Sequence, residues 1–211
     1  MLWGLCETIN QQTRHQAELI KLPSREHDFW SLIGSYYAFY SLDLSHFDAA
    51  ICTKYPAWMV GHKNPIHYIT HRLRGLYDTY HLTGLPLKAE RGNAYIDPIL
   101  AYMGQTPDPE SLDAFFGMLF SLKNNLPGIP PAYFGFPGPF IRSVVHYLDN
   151  YGLGKNAPRT FHCISATVKN RKEYFPDRAS VKVVYPPSFI KRYRTGGYRH
   201  VFFASRLDQK P

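Results

Sequence analysis

The feature that most constrains this chain is a series of short apolar runs without polar alternation, separated by stretches of helical periodicity. AELIKLP (17–23), FDAAICTK (47–54), IHYIT (66–70), TFHCIS (160–165), VKVVYP (181–186) and HVFFAS (200–205) read as strands. Runs of this kind belong in a sheet covered on both faces. The intervening segments read as helices. Residues 1–14 carry Leu2, Leu5 and Ile9 on one side, and DFWSLIGSYYAFYSL (28–42) has Asp28 placed as its N-cap. PESLDAFFGMLFSLKNN (109–125) has Asp108 as N-cap and Pro109 in the first helical position. GPFIRSVVHYLDNYG (138–152) stops at Gly152 or Gly154, and ATVKNRKEYF (166–175) is a further helix. Strands alternating with helices predict an α/β fold with a parallel sheet. A Pro- and Gly-rich segment over 82–140, part of a helical insertion about 82–152, interrupts the alternation.

With 211 residues, 45% of them hydrophobic, the chain can build one core of ordinary size. No apolar run approaches the roughly 20 residues of a membrane span. The start, MLWGLCETINQQ, lacks the basic end and apolar centre of a signal peptide, so a cytoplasmic protein is expected, with peripheral contact to the inner membrane face as an option. Cys6, Cys52 and Cys163 are scattered and read as free thiols. A formal net charge of +8 suits an anionic partner: a phosphorylated ligand, an acidic lipid surface or nucleic acid.

In parallel sheets ligands sit at the carboxyl ends of strands, and polar residues gather there in this sequence. Thr53, Lys54 and Tyr55 follow the second run, His71 and Arg72 the third, and Ser165 the next. His71 can hydrogen-bond a ligand hydroxyl or, protonated, a phosphate; the alternative is a structural histidine on a neighbouring carbonyl. Arg72 and Arg74 suit phosphate, or are solvated or paired arginines. Tyr77 and Asp78 either orient His71 or pack and cap locally. Trp58, in TKYPAW, offers an aromatic face to a sugar or closes the core. Ser165 reads as an N-cap, since no GxSxG surrounds it. His62, His67 and His71 invite a metal reading, but the stretch reads as strand and lacks HExxH, so no metal is expected. GxxxxGK[ST] and GxGxxG are absent.

Together the pieces resemble glycosyltransferase family 4, retaining enzymes of the GT-B type with two Rossmann-like domains. FDAAICTKYPAW is similar to the family's strand and following loop, and IHYITHRLRGLYD to its strand-end histidine and R-G-L-Y-D turn. ISATVKNRKEYF resembles the S-x-x-V-x-x-R segment, VKVVYPPS the exit from the first domain, and VFFASRLD the opening of the second. The resemblance implies an acceptor-side Rossmann-like domain over 1–187, then a linker and the first donor-domain strand over 188–211. It places His71 in the cleft as the catalytic residue, with Lys54, Tyr55, Arg72 and Arg74 around it. It assigns Arg206, with Lys210, to the diphosphate of the donor, where positive charge stabilises the departing nucleotide diphosphate. The partners implied are a nucleotide diphosphate sugar and a glycan or lipid-linked acceptor, with no cofactor and no nucleic acid.

The family begins with a strand and glycine-rich loop, whereas this sequence begins within the following helix, and the donor domain's E-x7-E segment is absent. A fragment truncated at both ends is therefore expected. Loss of a central first strand should leave a gap in the sheet and a chain that is poorly soluble or partly unfolded, unless another strand fills the gap or a partner chain supplies one. The rival readings are a non-catalytic carbohydrate or lipid-head-group binding module and, more distantly, a basic nucleic-acid binder.

Overall fold

The sheet is built from four strands: β1 (Ala50–Lys54), β2 (Pro65–His71), β3 (Phe161–Cys163) and β4 (Val181–Val183). They lie side by side in chain order, and every pairing is parallel. The structure is a computed structural model that describes residues 2–24, 26, 28–104, 112–154 and 160–186. Residues Ile20–Tyr185 form one compact unit, and Leu2–Leu19 belong to a second, smaller one.

Sequential strand order has a consequence. Parallel crossovers are nearly always right-handed, so a sheet that grows in one direction places its connections on the same face. Register puts Cys52, His67, Ile69, Phe161 and Cys163 on one face, and all five are buried. Ile51 and its register partner Ile66 lie on the opposite face, 41% and 38% exposed. The expectation of a gapped sheet is not met. Tyr68 pairs directly with His162 and Ile69 with Cys163, so no vacant strand position separates the described strands.

Helix α1 (Leu2–Gln12) belongs to the smaller unit. The run AELIKLP, expected as a strand, has no regular structure. Its Ala17 finds a substitute for a ladder partner: the Asn10 side chain accepts from Ala17 N at 2.5 Å and donates to Ala17 O at 3.0 Å. In the larger unit, α2 (Phe29–Tyr40) starts as its sequence dictates, with Asp28 accepting from Ser31 N. The insertion holds α3 (Asp97–Met103), a helix the Pro- and Gly-rich composition concealed, although Pro98 in its first turn and apolar Ile96, Ile99 and Leu100 mark it. Helix α4 (Leu112–Ser121) passes into a 3-10 stretch, Leu122–Gly128; its expected cap, Asp108, and Pro109 lie outside the described residues. Helix α5 (Pro139–Gly154) buries Phe140, Ile141, Val144, Val145 and Leu148, the stripe its periodicity predicts.

Gly152 lies within α5 rather than at its end. An added Cβ would stand 2.8 Å from the Trp58 ring and 2.9 Å from the Trp58 carbonyl, so only glycine lets the two backbones approach. Helix α6 (Ala166–Lys169) is far shorter than the expected 166–175. Glu173 adopts a left-handed φ of 59°, and the Arg171 and Tyr174 side chains turn to Asp78 instead.

Candidate functional site

The carboxyl ends of β1 and β2 bring Lys54 and His71 together as register partners. Thr53, the residue before Lys54, accepts a hydrogen bond through its carbonyl from the Thr70 hydroxyl at 3.0 Å, tying the two strand ends. Lys54 Nζ lies 3.5 Å from Glu26 Oε1 and 4.7 Å from the centre of the Tyr55 ring. Tyr55 is buried, its hydroxyl donates to Glu26, and its ring meets the His71 imidazole edge-on at 5.7 Å.

His71 Nδ1 lies 3.0 Å from the carbonyl of Arg72. A carbonyl can only accept, so Nδ1 carries the proton and Nε2 keeps its lone pair. Burial lowers the His71 pKa below the ordinary histidine value; the Arg72 carbonyl opposes this, and the positive charge of Lys54 adds to it. The side chain is therefore neutral at neutral pH, with a defined acceptor atom.

Arg72 does not face this edge. Only 2% exposed, it turns into the core, where its guanidinium donates to the Tyr77 hydroxyl at 2.7 Å and to the Tyr174 carbonyl at 3.2 Å. Asp149, fully buried, lies 3.9 Å from it. The Asp149 carboxyl accepts from the Tyr36 hydroxyl (2.7 Å), Trp58 Nε1 (2.9 Å) and the Tyr77 hydroxyl (2.8 Å). Burial raises its pKa, opposed by the Arg72 charge and the three donors. Trp58 thus closes the core, and Tyr77 links Arg72 to Asp149.

Arg74 is largely exposed and pairs with Asp78 at 3.3 Å. Asp78 is a small hub, since Arg171 reaches it at 3.1 Å and the Tyr174 hydroxyl at 2.8 Å. Ser165 caps α6, accepting from Val168 N at 3.2 Å. Arg206 and Lys210 lie outside the described residues. The histidines of the metal reading are separated by environment. His62 is satisfied by Phe47 O and Asn64 N, while His67 is stacked on Phe161 with neither ring nitrogen hydrogen-bonded. Among the described residues no cluster of three or more His, Cys, Asp or Glu is placed to hold a metal ion.

Of the residues marked by sequence, then, Lys54, Tyr55 and His71 share the edge, Arg74 stands at the Asp78 hub, and Arg72 is internal. Glu26, Asp149 and Tyr174 went unmarked. Asp149 had a signal, an acid beside Leu148 on the buried stripe of α5; Glu26 had none, since its loop carries no periodicity.

Fold and edge together define a Rossmann-like α/β protein with a polar carboxyl rim. Compared with known proteins, the chain matches no family model, no curated protein and no solved structure.

Proposed function

We propose that this chain is the acceptor-side domain of a retaining, nucleotide-sugar-dependent glycosyltransferase of the GT-B type. The observation that carries the reading is the pairing of His71 with Lys54 at the carboxyl edge of a parallel sheet, the position at which such sheets take ligands. His71 offers Nε2 as a hydrogen-bond acceptor to a sugar hydroxyl, because Nδ1 is committed to the Arg72 carbonyl. Buried Tyr55 packs edge-on against the imidazole and supports its orientation, and Lys54 supplies positive charge for a phosphate-bearing donor or acceptor. Arg74 stands close by at the Asp78 hub. The resemblance adds Arg206 and Lys210 as contacts to the donor diphosphate, and the reading needs no metal or organic cofactor. Arg72 serves the fold in this scheme and touches no substrate.

In the reaction, an acceptor hydroxyl forms a bond to the anomeric carbon of the donor sugar. The bond from that carbon to the diphosphate oxygen breaks, and the nucleoside diphosphate leaves with the electron pair. The test is a titration of the protein with nucleotide sugars, free saccharides and a water-soluble lipid-phosphate sugar, following the imidazole resonances by NMR. Selective perturbation of His71 by a saccharide or nucleotide sugar, abolished in Lys54→Ala, is expected. If none of these ligands moves the His71 signals, the proposal fails.

A further inference from the structure

The loop that follows the second strand has a build that the carboxyl edge does not explain. Tyr80–Thr83 forms one 3-10 turn, Gly84 takes a left-handed φ of 67°, and the chain doubles back through Leu85, Pro86 and Leu87. The base is tied down. Buried Tyr80 donates its hydroxyl to Pro86 O at 2.7 Å, Thr83 Oγ1 bonds Tyr80 O at 2.7 Å and accepts from Leu85 N at 3.1 Å, and Arg142 donates to Leu87 O at 3.3 Å. Yet Leu82, Leu85 and Leu87 are 64%, 43% and 62% exposed.

One exposed leucine is ordinary, but three within six positions on a tethered loop form a patch. In the next loop Asn93 donates to Gly128 O at 2.8 Å, Gly128 packs on the Tyr95 ring, and Tyr95 and Leu126 are both exposed. The flanking charges are Lys88 and Arg91, with Glu90 as the acid between them, all exposed. Apolar tips rimmed by cations match the boundary of an anionic bilayer, where leucines enter the acyl region and basic groups meet lipid phosphates.

We propose that the Tyr80–Arg91 loop docks this protein on the surface of a membrane rich in anionic lipid. Because the hydrogen bonds at its base already order the loop, docking costs little conformational entropy. The inference rests on this loop alone and stands whatever the carboxyl edge binds.

The test is co-sedimentation of the full chain with phosphatidylcholine vesicles, with and without phosphatidylglycerol. Binding should need the anionic lipid and weaken as salt rises. The triple variant Leu82→Ser, Leu85→Ser, Leu87→Ser should lower the partition coefficient about tenfold or more. The double variant Lys88→Glu, Arg91→Glu, which changes only exposed charges, should lower it by a similar factor. Circular dichroism checks folding, and if the leucine variant unfolds, the charge variant decides. Equal binding to neutral and anionic vesicles, or partition unchanged in a folded variant, overturns the proposal. So does a concentration-dependent dimer that the leucine substitutions abolish, which would assign the patch to a second copy.

Discussion

Asp149 and Arg72 show how far a side chain's meaning depends on what surrounds it. Each is a charged residue in the core: Tyr77 bridges the two, Asp149 also accepts from Tyr36 and Trp58, and Arg72 also donates to the Tyr174 carbonyl. Removing one partner leaves the other buried and uncompensated, so Asp149→Ala should cost about 3–5 kcal/mol. Arg74→Ala, at an exposed pair, should stay within about 0.5 kcal/mol. Urea denaturation of both variants checks this, and equal losses would show that the core pair is not what matters. His67 makes the converse case. Its ring is buried and neither nitrogen has a partner, so the apolar replacement His67→Leu should stabilise the protein at neutral pH, by about 1–2 kcal/mol. A lower melting temperature would count against it.

At the scale of elements, two substitutions separate a cap from a contact. Asp28→Ala removes the side chain that accepts from Ser31 N and should cost about 1 kcal/mol. Gly152→Ala is favourable by helix propensity, worth about 1 kcal/mol in α5. The new methyl group, however, would collide with the ring and carbonyl of Trp58, which is held in place by its bond to Asp149. Overpacking of this kind costs about 1–3 kcal/mol, so the net change should be destabilising. Thermal melts would reveal a stabilised Gly152→Ala protein if the contact between α5 and Trp58 were loose. The elements also show where sequence reading works. β1 to β4, α2 and α5 were all legible, because periodicity and caps are local. The strand expected over 17–23 and the long helix expected over 166–175 failed. In each, side chains remote from the local pattern took over: Asn10 supplied Ala17 with hydrogen bonds, and Asp78 drew Arg171 and Tyr174.

For the whole molecule, pH is the informative variable. Burial pushes the pKa of His67 down to about 4, and that of His146, stacked on Tyr77, also to about 4. In the unfolded chain both would titrate near 6.5. Between these values the unfolded state binds more protons, so stability is complete above pH 6.5 and is lost as pH falls toward 4. The loss is on the order of 3 kcal/mol for His67, with His146 acting in the same direction. Denaturant midpoints at neutral and mildly acidic pH should show it, and His67→Leu should flatten the profile. A midpoint that does not move over this range would mean that neither histidine is held neutral by the fold.

Periodicity, capping residues and apolar runs were enough to specify an α/β chain with a parallel sheet and to mark the strand ends where polar residues collect. Each depends on neighbours close in sequence. Which of those polar residues face outward was decided only in three dimensions. Adjacent positions along an extended backbone point to opposite sides, so His71 stays at the rim while Arg72 enters the core to meet an aspartate 77 positions away in the chain. The exposure of Leu82, Leu85 and Leu87 was equally beyond local reading. A leucine's composition says burial, and only the hydrogen bonds of Tyr80 and Arg142, which hold the loop's backbone from within, leave those side chains on the surface.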